Sequence, residues 1–421
     1  MSKRTYRAKS VKTLDLDRLG KELEAAQRLV FSLDIAKDVM FATLKVEAEL
    51  VHTTLKWHHL ESTSEVVSWL SGFGPRVEVA MEPSGTYGDT LRWHLERSGV
   101  AVYQVSPKKV KDSREIYDGV PSSHDAKAAA IIGWLHWQGR SELWPERSDV
   151  DRHMKAAVET LRLYQVPFQR CLNRLEGSLA RYWPELGGIL SLSSVTLLEL
   201  LQEFGGPSGV AATPQRAGAL MRRVGGNGLA STSIDRVLSS SQETLGVAML
   251  ASECEALQAL AGEARRLQQC VRRAREQVEA LSQGDAELQH LAPVVGKVTA
   301  VVLMLHNGRL SAYRNARSFE KALGLNLKIR QSGKYSGQLK LTKRGPGVGR
   351  QYLYLASLRL IKDDPLARAW YEAKLQRDPG GSKKKALVAV MRKLARALWW
   401  VAQGAPFTTE KLFDARRLKM A

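Results

Sequence analysis

Three acids stand where chain elements begin or end. Asp34 lies inside the apolar run LVFSLDIA, Glu82 closes the run VEVAME, and Asp125 opens DAKAAAIIGW after the loop GVPSSH. An ionised side chain in a strand-forming run is costly to desolvate unless a cation or hydrogen bonds compensate. Acids at the ends of adjacent elements of an α/β sheet can converge at one edge and hold two divalent ions. Hard oxygen ligands suit Mg²⁺, and a pair of such ions clamps the attacking and leaving oxygens of a phosphodiester. Asp125 also has a plainer reading, because beside Ser123 and His124 it suits a helix start. Asp34 is the least easily explained in that way. His52, His58 and His59 fit a surface strand or loop better than a metal-ligand set.

The elements that must position these acids are legible as a change of pattern at Leu29. LVFSLDIA, VMFATLKV, RVEVAME and GVAVYQV read as strands, while EVVSWL, GDTLRWHLERSG and the segment from His124 to Trp137 read as helices. Gly99 suits a helix C-cap. The order is α/β, with a first antiparallel hairpin and later parallel strands in one mixed sheet over residues 28–150. Residues 1–27 form a basic tail with Lys3, Arg4, Arg7, Lys9 and Lys12, running into a short helix. Residues 151–285 are helical. Leu257, Leu260, Ala264, Leu267, Val271, Ala274, Val278 and Leu281 follow a heptad seam, which predicts a coiled-coil helix or a long antiparallel hairpin. The Gly- and Pro-rich stretch 205–228 reads as a hinge or an irregular subdomain. A mainly helical segment follows over 286–405, and then a basic tail over 406–421.

Charge divides the chain more sharply than any linker. Residues 286–421 carry 27 lysines and arginines against 8 acids, whereas the preceding residues carry 36 against 35. A basic module joined to a charge-balanced body is the footprint of a polyanion binder, and nucleic acid is the natural partner. Within that module VVGKVTAVVLM reads as a glycine turn feeding a helix, whose N–H groups with Lys297 suit a phosphate. The helix opening at Lys383, Lys384 and Lys385 has an apolar face for packing and a basic one for phosphate. No run approaches a membrane span, and MSKRTYRAKS has no apolar core of a leader. Three cysteines, Cys171, Cys254 and Cys270, are too few for a disulfide framework, so a reducing, cytoplasmic setting is expected. Trp134, Trp137, Trp399 and Trp400 sit at helical spacing, which favours core packing over base stacking. LTKRGPGVGR lacks the spacing of a P-loop, and no nucleotide cofactor is expected.

LDIAK, MEPSGTYG and DGVPSSHDAKAAAII together resemble the RuvC-like, ribonuclease-H-fold domain of the DEDD-type insertion-sequence transposases, relatives of the Piv invertases recognised as bridge-RNA-guided recombinases. APVVGKVTAVVLM, FEKALGLNLKIRQSGK, LTKRG and LYLASL resemble the second transposase domain of that family. The resemblance implies that Asp34, Glu82 and Asp125 are the first three members of a metal-binding acidic tetrad. Its fourth place, three residues on, is Ala128 here, so the cage would hold two Mg²⁺ ions or one, with Asp118 or Asp112 as nearby substitutes. It further implies that Ser332, in RQSGK, is the nucleophile, and that Arg330, Lys334, Lys340, Lys343 and Arg344 neutralise the strand it attacks. The implied partners are double-stranded donor and target DNA, a noncoding guide RNA, and further copies of the chain as a dimer or tetramer held by the heptad seam. Two other readings stay open: a metal-dependent junction nuclease or unguided invertase, and a noncatalytic nucleic-acid-binding descendant.

Overall fold

The computed structural model describes residues 6–47, 51–83, 85–145, 148–329, 331–332, 335–337, 340–377 and 380–414. The chain forms two compact units, residues 1–146 and 147–421. In the first, seven strands form one mixed sheet: β1 (Lys9–Ser10), β2 (Leu29–Asp34), β3 (Val39–Lys45), β4 (Val51–His58), β5 (Val77–Met81), β6 (Ala101–Gln104) and β7 (Glu142–Leu143), in the order β1-β4-β3-β2-β5-β6-β7. The pairs β2/β3 and β3/β4 are antiparallel, and β2/β5 and β5/β6 are parallel. The short connections between β2, β3 and β4 allow hairpins. The parallel pairs require crossovers, supplied by α2 (His59–Ser71) and α3 (Asp89–Arg97). The remaining helices of this unit are α1 (Leu16–Glu22), α4 (Pro107–Asp112), α5 (Arg114–Asp118) and α6 (Asp125–Trp137).

Side chains alternate across a strand, and that alternation decides which acids face which helix. Leu29, Phe31 and Leu33 of β2, with Val77, Val79 and Met81 of β5, join the core that also takes in Leu91 and Leu95 of α3 and Val66 and Leu70 of α2. Ala80, on the other face, packs with Ile131, Ile132 and Leu135 of α6. Ser32 also faces α6: a Cβ placed on Gly133 of that helix would lie 2.5 Å from Ser32 Oγ and 3.3 Å from Lys45 Cδ. Ser32 Oγ is held by Thr43 Oγ1 at 2.7 Å, so it cannot yield readily. Glycine at 133 therefore sets how closely α6 approaches the central strands. Farther along the same face, His136 Nε2 meets Glu78 Oε2 at 3.0 Å, and Arg28 bonds the same carboxylate.

The second unit is helical apart from a few short strands. Its two longest helices, α7 (Asp149–Tyr182) and α12 (Ala251–Leu281), pack side by side and antiparallel. Met154 and Val158 share a core with Ala274 and Val278, while Tyr182 Oη bonds Glu253 at the other end. Leu257, Ala264, Leu267, Ala274 and Val278 of the heptad seam are buried within this one chain. The seam helix expected from the sequence is α12, and it packs on α7, a helix distant in the chain. Between the two helices lie α8 (Val195–Phe204), α9 (Pro207–Ala212), α10 (Pro214–Gly225) and α11 (Ser231–Gln242). The stretch expected to be a hinge or irregular subdomain is thus a set of short helices, because Val210, Ala217, Leu220 and Met221 share a core with Leu197 and Leu201.

Beyond α12 come α13 (Ala286–Val295), α14 (Lys297–Asn307), α15 (Ala316–Ala322), α16 (Gly347–Asp363), α17 (Pro365–Gln376), α18 (Lys383–Ala402) and α19 (Thr409–Leu412). Leu291, Val301, Phe319, Leu353, Leu394 and Leu398 build the core shared by α13, α14, α15, α16 and α18, while Ala367 of α17 packs with Val390 and Phe413 in a smaller one. Between α15 and α16 the chain makes two short antiparallel ladders, β8 (Leu327–Lys328) with β11 (Lys340–Leu341) and β9 (Gln331–Ser332) with β10 (Tyr335–Ser336). No helix among the described residues is long and apolar enough to cross a membrane.

Gly133→Ala is expected to destabilise the first unit by about 1–2 kcal/mol, the overpacking cost outweighing the helix propensity gained. A thermal or urea melt should show a midpoint lowered by a few degrees or its denaturant equivalent, and an unchanged midpoint would contradict the close approach.

Candidate nucleic-acid-processing site

Three sequence-selected acids come to one edge of the central sheet. Asp34 is the last residue of β2. Leu33 is paired with Met81 in parallel register, so Glu82, the residue after β5, follows alongside Asp34. Asp125 is the first residue of α6, the helix drawn onto that face at Gly133. The electrostatics record their proximity. The Asp34 carboxyl is pushed up to about 7, chiefly by burial and then by the charges of Asp125 and Glu82, with Arg114 acting in the opposite direction. Glu82 is also raised by burial, again opposed by Arg114. Crowded carboxylates in a partly desolvated setting favour a proton or an added cation.

The donor set is oxygen-only and suits a hard divalent ion. It is not a closed cage: among the described residues no three His, Cys, Asp or Glu side chains converge on a common metal position. Ala128 lies one turn after Asp125 on α6, where a carboxylate would project along the same side of the helix. The two nearby acids expected as substitutes are engaged elsewhere. Asp118 is buried and receives Lys127 Nζ at 2.7 Å, Tyr6 Oη at 2.8 Å and the Val120 N–H at 3.1 Å. Asp112 pairs with Lys108 on the surface.

Arg114 was not singled out by the sequence, and it is the cation at this edge. It opens α5, and its Nε is buried without a hydrogen-bond partner among the described residues. A lone arginine in REIYDG offers no spacing signal to mark it.

Ser332 belongs to the second unit and is exposed. It lies in β9, directly opposite Tyr335 of β10. The base of this projection is fastened by close backbone contacts. A Cβ on Gly324 would fall 2.3 Å from Arg344 O, and one on Gly345 would fall 1.9 Å from Ala322 O. Lys343 N–H donates to Gly324 O at 3.0 Å, and Lys343 has a positive φ of 53°, which is costly for a non-glycine residue. The glycines of ALGL and KRG thus plant a serine-bearing arm on the helical body.

The expected nucleic-acid contacts are distributed around that body. Lys340, Lys343 and Arg344 are exposed at the arm or its base, whereas Arg330 and Lys334 lie outside the described residues. Lys297 follows Gly296 (φ 83°) at the start of α14, with its ammonium 3.7 Å from Glu279. Arg275 and Arg359 line the same cavity beside Gly296, so more cations gather there than Lys297 alone indicated. Lys383, Lys384 and Lys385 occupy the first turn of α18 after the Ser382 cap. Cations at a helix N-terminus oppose its dipole, so stability alone does not account for them.

Residues 286–372, the segment holding the glycine turn, the arm and α16, match the family model described as Transposase IS116/IS110/IS902 family. The protein is accordingly a DNA transposase, an enzyme that cuts and rejoins DNA. The matched segment supports an IS110-type transposase family. No curated protein matches the chain significantly.

Two outcomes follow from these contacts. Replacing Lys383, Lys384 and Lys385 together by alanine should lower the slope of log K for duplex DNA against log salt by about 2–3, as expected for losing up to three phosphate contacts. An unchanged slope would remove them from the interface. Burial works to raise Asp118, but its bonds to Lys127, Tyr6 and the Val120 N–H outweigh this and hold it below its usual 3.8. A group depressed in the folded state contributes stability that is present above its unfolded pKa and lost as pH falls through the folded value. The melting midpoint of the first unit should therefore fall below about pH 4, and Asp118→Asn should flatten that dependence. An equally steep fall in the variant would exclude this pair as its cause.

Proposed function

We propose that the protein transfers DNA strands through a covalent serine intermediate formed at a divalent-metal site. In this reading the first unit is a RuvC-like, ribonuclease-H-type domain. The strand order β4-β3-β2-β5-β6, antiparallel then parallel, supports it, as does the clustering of acids at the ends of β2 and β5 and the start of α6. The observation that carries the proposal is the placement of three acids at the end of β2, just after β5 and at the start of α6, where burial and the charges of Asp125 and Glu82 together lift the Asp34 carboxyl.

Asp34, Glu82 and Asp125 would hold Mg²⁺, which when bound supplies charge neutralisation at the phosphate and the leaving oxygen. Ser332 Oγ attacks the DNA phosphorus. An O–P bond forms, the serine proton passes to a carboxylate of the cluster, and the broken P–O bond leaves its electron pair on the departing DNA oxygen. A hydroxyl of the recipient strand then attacks the phosphoserine, which restores the serine and seals the new joint. Arg114 balances part of the negative charge at the carboxylate edge, and Lys340, Lys343 and Arg344 hold the strand near Ser332. Exposure of Ser332 on an arm supports a site completed by bringing the arm of one copy to the acids of another.

The resemblance of the motifs extends the reading to a guide RNA that selects donor and target by base pairing, while the protein holds backbones and shape. RNA extracted from the purified protein should then be a discrete structured species.

The test uses end-labelled donor DNA with Mg²⁺, followed by denaturing electrophoresis. The native protein should yield a protein–DNA adduct that proteinase removes. Ser332→Ala should bind DNA but yield neither adduct nor joined product, and Asp34→Ala should be inactive by at least about a hundredfold. Ala128→Asp should lower the Mg²⁺ concentration for half-maximal activity. Continued cutting by Ser332→Ala would instead mean that water is the nucleophile.

A further inference from the structure

Trp399 and Trp400 are adjacent in sequence and opposite in environment. Trp399 is 9% exposed, and its indole N–H donates to Tyr313 O at 2.9 Å. Trp400 is 57% exposed, and Trp399 meets it edge-on at 4.7 Å between ring centroids. Core packing accounts for the first and not for the second.

Trp400 lines a cavity of about 470 Å³ between the last turns of α18 and α19, together with Phe407, Lys393, Arg396 and Lys411, and no acid lines it. Lys393 donates to Leu412 O at 2.7 Å, which fixes the floor. Arg396 reaches Glu320 at 3.1 Å, but the buried Glu320 is shared with Arg392 at 2.5 Å, so two guanidiniums meet one carboxylate and the surroundings stay positive. Lys411 is exposed and makes no hydrogen bond or ion pair among the described residues. The cavity is large enough for a ligand of nucleotide size.

A ligand that suits this wall must offer a flat aromatic face to an indole and negative charge to lysine and arginine. An unpaired nucleotide offers both. A base inside a duplex does not, because its faces are covered by its neighbours. Strand exchange creates unpaired nucleotides, so the substrate of this enzyme class supplies the ligand. We propose that the cavity binds a single unpaired nucleotide of the nucleic acid undergoing recombination, with its base stacked on Trp400 and its phosphate beside Lys411 and Arg396. The site lies outside the matched family segment, and its binding does not depend on Ser332 or on the carboxylate cluster.

The full-length protein would be titrated, in EDTA to suppress cutting, with fluorescein-labelled oligothymidylate, oligouridylate and blunt duplex DNA of one length. Trp400→Leu should weaken binding of at least one single strand by about 5- to 100-fold, leave the duplex within twofold, and leave the melting midpoint in place. Trp400→Phe should recover most of the affinity. Lys411→Gln should reduce the single-strand salt slope by about 0.7. Preference for oligothymidylate or oligouridylate would assign the nucleotide to DNA or to RNA, and either supports the site. Unchanged binding of both single strands by Trp400→Leu would overturn the proposal. So would an equal loss for duplex and single strands, which would make Trp400 a general contact.

Discussion

Like charges do not gather at the edge of a sheet without something that holds them there. Around Asp34 the holding is done by packing: β2 and β5 lie in parallel register, so the ends of the two strands come level, and α6 closes over them where Gly133 meets Ser32. Burial in that corner penalises ionisation, and the neighbouring carboxylates add to the penalty. The fold thus pre-assembles a region of unfavourable negative charge, which a divalent cation would relieve. At the other end of the same face His136, Glu78 and Arg28 form a self-contained cluster that ties α6 to the sheet.

The second unit works by different means. Its antiparallel α7/α12 pair is the spine on which both helical cores are built, with Leu257, Ala264 and Leu267 serving one and Ala274 and Val278 the other. Because the heptad seam is satisfied inside the chain, it does not offer a free face for holding copies together. The serine-bearing arm and the basic residues at its base are mounted on this rigid support. Glycine contacts at Gly324 and Gly345 set where the arm leaves the body.

Much of the first unit was legible because its signals are local. β-Branched and aromatic runs gave β2, β3, β5 and β6 but not β1, β4 and β7, Gly99 marked a helix end, and an acid inside LVFSLDIA had few structural excuses. Arg114, Asp118 and Lys127 carried no such mark, since the Asp118–Lys127 pair and the burial of the Arg114 Nε exist only once α5 and α6 pack. The heptad pattern in α12 was real, but periodicity does not say whether a seam is filled by another copy or by a distant helix of the same chain. Residues 205–228 read as irregular because glycine and proline density hides short helices whose stability comes from shared core contacts. Trp399 and Trp400 show the same limit in miniature: spacing assigned both to the core, and only the path of α18 past Tyr313 separates them.

Metal binding is the most direct probe of the carboxylate edge, because it needs neither DNA nor a guide. Mn²⁺ can be titrated into the purified protein and followed by electron paramagnetic resonance or calorimetry, for the native chain and for Asp34→Asn. Binding should be saturable and should weaken at least about tenfold in the variant while the fold is retained. Absent binding, or equal affinity in the two proteins, would contradict it.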